Sequence, residues 1–86
     1  MIEKINEQVD CITIYKKLGG IVMPYKIKWN GRSYLIKKLG YHYKTRVGRI
    51  IQHYFSVSTD TLAFKLRFDP ENMQWILEEV SDGSSN

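Results

Sequence analysis

The stretch KKLGYHYKTRVGR, residues 37–49, carries five of the thirteen Lys/Arg residues in the chain and no acid, with Tyr41, His42 and Tyr43 threaded among the bases. These two kinds of side chain act together on single-stranded nucleic acid. Aromatic rings stack on bases while Lys and Arg track the phosphates. On that chemistry Tyr41, Tyr43 and Tyr54 are candidate stacking platforms. Lys37, Lys38, Lys44, Arg46 and Arg49 are candidate phosphate contacts, joined by Lys26 and Lys28 from a neighbouring strand. The competing reading is a solvated connection between two strands, since Lys on solvent faces also keeps strand edges from associating.

Charge along the chain sharpens the first reading. Residues 16–67 hold twelve Lys/Arg against the single acid Asp60, whereas residues 69–86 hold Asp69, Glu71, Glu78, Glu79 and Asp82 and no base. Such asymmetry, within a net charge of +4, suits a polyanionic partner. It equally suits basic and acidic strands lying side by side.

Other chemistry finds little support. His42 and His53 are eleven residues apart and Cys11 is distant from both, which fits no zinc spacing. No G-x-S-x-G, phosphate-binding P-loop or G-x-G-x-x-G is present. Glu78 and Glu79 are neighbours, and neighbours in a strand point to opposite faces. Cys11 has no base near it in sequence and reads as an inert, partly buried thiol. A non-enzymatic protein without cofactor or metal is therefore expected. The lone cysteine forbids an intrachain disulfide, no apolar run approaches the roughly 20 residues of a membrane span, and the first residues do not read as a secretory signal. The expected place is the cytoplasm.

The elements that must position these residues are strands. In YKIKWNGRSYLIKK, Asn30-Gly31 is the preferred central pair of a two-residue hairpin turn. That turn sets Trp29 opposite Arg32, Lys28 opposite Ser33, Ile27 opposite Tyr34, Lys26 opposite Leu35 and Tyr25 opposite Ile36. One face then collects Tyr25, Ile27, Trp29, Tyr34 and Ile36, with the Arg32 stem expected against the Trp29 indole. Leu62, Phe64, Leu66 and Phe68 alternate with Ala63, Lys65 and Arg67. DPEN at 69–72 turns the chain, and Met73, Trp75 and Leu77 return on one side. With RIIQHYFSVS ahead of them, residues 49–80 read as a three-stranded meander. VDCITIYKK is a sixth strand, broken by Leu-Gly-Gly at 18–20, and Pro24 starts the next.

The fold class is all-β: a small antiparallel barrel or strongly curled sheet of five to six strands, SH3-like or OB-like. Residues 1–8 are expected as a flexible or short helical N-terminus, 9–80 as a single β domain and 81–86 as a disordered tail. Leu35, Ile76, Ile12 and Ile14 fall off the core face. They form either a second layer under a folded-over strand, the preferred reading, or a contact with another protein or a second copy.

Pro24, Ile27, WNGRSYLI, HYFSVS, FKLRFD and WILEEV together resemble a family of small uncharacterised bacterial proteins, a domain of unknown function with a Pro…Trp-x-Gly-Arg-x-Tyr…Trp-x-Leu skeleton. The resemblance spans residues 21–80 and implies a compact all-β module. It implies no catalytic residue. The function expected is weak, sequence-independent nucleic-acid binding through the basic-aromatic face. The alternative is a protein-interaction or self-association module with no nucleic-acid role.

Overall fold

The computed structural model describes residues 1–17 and 21–82. Seven strands run in chain order: β1 (Ile2–Lys16), β2 (Ile21–Trp29), β3 (Arg32–Leu35), β4 (Lys38–Val47), β5 (Ile50–Ser58), β6 (Ala63–Asp69) and β7 (Gln74–Ser81). They form one antiparallel sheet in the order β3-β2-β1-β7-β6-β5-β4.

The Asn30-Gly31 hairpin has the register its turn dictates. Trp29 faces Arg32, Ile27 faces Tyr34 and Lys26 faces Leu35. Both turn residues have positive φ, 56° and 75°, as the tight reversal requires. Ile27 is buried and Trp29, Tyr34 and Ile36 pack against the core. Arg32 is exposed, and Trp29 packs on Tyr34 (ring centroids 6.2 Å) and Phe64 (6.3 Å) rather than under a guanidinium.

Alternation likewise builds β5, β6 and β7. Phe55, Val57, Phe64, Leu66, Phe68, Trp75, Leu77 and Val80 point inward and are buried. Each such side chain removed from water contributes about 1.5–3 kcal/mol. The turn after β6 is longer than DPEN. Asp69 Oδ1 accepts from the amides of Glu71 and Asn72, and Oδ2 accepts from the Asn72 side chain. The turn continues to Met73, whose φ is 55°, so Met73 stands 73% exposed instead of sharing the Trp75 face.

Four further expectations are corrected. Residues 38–47, expected to connect two strands, are themselves the ten-residue strand β4, so the sheet has seven strands rather than five or six. β4 pairs with β5 through Gly48-Arg49, and Gly48 takes the positive φ (64°) that the first central position of this reversal demands. Residues 2–8 are neither frayed nor helical: they belong to β1 and pair with β7 from Ile2–Ser81 to Val9–Trp75. Pro24 lies inside β2, facing Thr13 beside a bulge at Tyr25, where the ladder is already interrupted. Finally, the sheet is not a closed barrel, because its edges β3 and β4 share no ladder. The break placed at 18–20 and most of the tail at 83–86 lie outside the described residues, although Ser81 is still in β7.

The open sheet is nevertheless curled. Tyr34 of the edge strand β3 meets Phe64 of β6 edge-on at 5.3 Å, which is reachable only across the inside of the bend. The edges are consecutive in the chain. Ile36 N donates to Tyr25 O of β2, and the next amide, Lys37 N, donates to Ser58 O of β5.

Candidate nucleic-acid interface

The β4–β5 hairpin positions the basic-aromatic residues. Residues directly opposite in an antiparallel pair share a face. His42 faces buried Phe55 and Lys44 faces His53, so His42, Lys44 and Arg46 lie on the inner side. Lys38, Tyr41, Tyr43, Thr45 and Val47 lie on the outer side with Ser56, Tyr54 and Gln52. The change of phase occurs at Gly40, an extra residue between Leu39 and Tyr41. A Cβ there would stand 2.9 Å from Ser56 O, so only glycine fits. The β6 ladder begins at His53–Phe68, leaving the turn end of the hairpin beyond it as a two-stranded arm.

The outer face carries a tyrosine ladder. Tyr43 stacks on Tyr54 at 5.0 Å and 6°, and Tyr41 stacks on Tyr43 at 6.0 Å and 22°. Lys65 Nζ lies 5.6 Å over the Tyr54 ring. The rings therefore occupy one another's faces, and Tyr41, 63% exposed, is the most open of the three.

The ten predicted residues are thus brought together only in part. Tyr41, Tyr43 and Tyr54 share the outer face. Lys44 and Arg46 flank the same free edge from the inner side, Arg49 is in the turn, and Lys37 and Lys38 are exposed at the corner where β3 passes to β4. Lys26 and Lys28 stand apart on the outer face of β2, opposite Ile12 and Asp10. Lys65 and Glu79, which face each other across β6 and β7, escaped sequence reasoning. Alternation shows that Lys65 faces outward, but only the strand order shows it beside Tyr54.

Glu78 and Glu79 do not point to opposite faces. The register slips between Lys65 and Leu66, and Glu78 is the unpaired residue. Arg67 Nε donates to Glu78 Oε2 at 2.8 Å, while Glu79 faces Lys65. Burial opposes the charge on Lys65, but Tyr43, Glu79 and Glu78 outweigh it and hold its pKa above the ordinary value. Arg67 also reaches Gln52 Oε1 at 3.4 Å.

On the inner side the two histidines meet diagonally across the hairpin. His42 Nε2 and His53 Nδ1 are 2.9 Å apart, and the His42 ring stacks on Phe55 at 4.5 Å. Burial first, then His42 and Lys44, depress the His53 pKa below 6.5. Burial raises the pKa of the Cys11 thiol, only partly offset by the Thr13 hydroxyl. Among the described residues no group of three His, Cys, Asp or Glu side chains is placed to hold a metal ion. Nor is any helix among them long and apolar enough to cross a membrane.

Among the described residues no second layer covers Ile12, Ile14 or Leu35, whereas Ile76 is half-buried. Ile12 is 56% exposed, Ile14 41% and Leu35 37%, and Leu35, Lys26 and Ile12 form one row across β3, β2 and β1.

No protein-family model, curated protein or solved structure matches the chain.

Proposed function

We propose that this protein is a binding module that holds single-stranded nucleic acid weakly, and largely without regard to sequence, along the β4 edge. One observation carries the reading. Residues 37–59 contain no acid and fold into a hairpin with tyrosines on one face and Lys44 and Arg46 on the other, on either side of an unpaired strand edge. A strand lying along that edge sets bases against the Tyr41 side while long basic side chains reach its phosphates. Lys26 and Lys28 have no part in this path. The role is binding rather than catalysis. The single cysteine favours a reducing, cytoplasmic setting.

A salt titration with short oligonucleotides tests the proposal. Affinity should fall with salt at a log–log slope of about 0.7 per phosphate contacted on a single strand. Failure to bind any single-stranded oligonucleotide at about 50 mM salt, where phosphate contacts are strongest, removes it.

A second reading rests on the uncovered row of Ile12, Ile14 and Leu35. Its occupant is a second copy of this chain. Asp10 and Lys28 face each other beside the row, so a two-fold-related copy offers each charge its opposite. Sedimentation that shows only monomer over a wide concentration range eliminates this reading.

A further inference from the structure

Beside Tyr41 the outer face holds a shallow pocket of about 150 Å3, lined by Ile2, Tyr41, Ser56, Lys65, Glu79 and Ser81 among others. It is smaller than the roughly 300–1,000 Å3 of sites for larger ligands. A phosphate does not suit it, because Glu79 is in its wall and Glu78 lies on the same face, and like charges repel. A flat heteroaromatic base with hydrogen-bonding edges, lying in the open mouth of the pocket, suits it well. Tyr41 supplies an open aromatic surface, Lys65 a donor, Glu79 two acceptors, and Ser56 and Ser81 hydroxyls that can do either.

We infer that this pocket seats one base of a bound strand and selects guanine. The inference rests on the nucleic-acid reading above and adds a preference to it. Guanine presents, along its Watson–Crick edge, the O6 acceptor followed by the N1–H and N2–H donors. The wall presents the complement: the Lys65 ammonium for O6, and the facing Glu79 carboxylate for the two adjacent N–H groups. Adenine sets its N1 lone pair against the carboxylate. Uracil and cytosine each offer that edge a single donor group. The Lys65 ammonium rests over the neighbouring Tyr54 ring, from which its flexible stem turns to reach O6.

The test titrates the full chain with a short oligouridine, the same strand with one central guanosine, and the same strand with one central adenosine, by fluorescence anisotropy at about 50 mM salt. The guanosine strand should bind about tenfold tighter than the other two, the scale of one bidentate base contact. In Glu79→Gln, shown by circular dichroism to be folded, the ratio of affinities should fall to about one. Equal binding of the three strands by the native chain overturns the guanine seat and leaves the nucleic-acid reading standing. So does an undiminished preference in Glu79→Gln. Failure of all three strands to bind overturns both.

Discussion

The indole N–H of Trp75 donates a 3.0 Å hydrogen bond to Oγ1 of Thr13, tying β7 to β1 between residues 62 positions apart. The other indole differs: Trp29 Nε1 is buried with no hydrogen-bond partner among the described residues. A buried donor left unpaired costs about 1–3 kcal/mol. Thr13→Val, which keeps the shape and removes the acceptor, should therefore destabilise by about that amount in urea unfolding. Trp29→Phe should cost less than Trp75→Phe, since it discards an N–H that already lacks a partner. The reverse order would contradict this account of the two rings.

The histidine pair makes stability depend on pH. The folded pKa of His53 is below the ordinary 6.5, so the unfolded chain takes up the proton first as pH falls. Stability is complete above the ordinary value and declines as pH drops through it towards the folded pKa. The urea midpoint should therefore be lower at pH about 5 than at about 7.5, and His53→Gln should flatten that difference. An unchanged slope in the variant would refute the assignment.

Gly40→Ala places a methyl group 2.9 Å from a backbone oxygen that cannot rotate away. The strand must shift, at a cost of about 1–3 kcal/mol. Because Gly40 precedes Tyr41, the tyrosine ladder should move too, and near-ultraviolet circular dichroism should lose intensity. A variant with native stability and spectrum would show that β4 runs further from β5.

Lys44→Ala with Arg46→Ala removes two exposed side chains from the hairpin arm and should leave the fold intact, within about 0.5 kcal/mol per position. The same variant should lower the salt slope for single strands by about 1.4, two phosphates' worth. Unfolding would show that the arm is structural, and an unchanged slope would move the phosphate path elsewhere.

Much of the sheet was legible because burial writes itself into every second residue. Phe64, Leu66 and Phe68 announce β6, and Asn30-Gly31 fixes the β2–β3 register by residue type alone. β4 was illegible for the same reason inverted. Its inward positions His42, Lys44 and Arg46 run towards and past the edge of the core, so they have no need to be apolar. The remaining signal was Val47-Gly48-Arg49-Ile50, a glycine reversal weaker than Asn-Gly. In β1, Ile2 and Ile5 are spaced by three, as in a helix. They take opposite faces, as three steps along a strand require: Ile5 packs against the core and Ile2 lines the outer pocket. The site was half visible. Residue types identified the tyrosines and bases, but strand order alone sets Lys65 and Glu79 beside them and sends Lys26 and Lys28 elsewhere.

The amides of Ile36 and Lys37 bond to strands near opposite ends of the sheet. A split hoop riveted by one peptide link behaves mechanically much like a whole one: its two lips cannot drift apart without tearing that rivet. Slack spliced in at this point would let the lips swing freely, and the gap they enclose would widen while every rung of the ladders stayed in place.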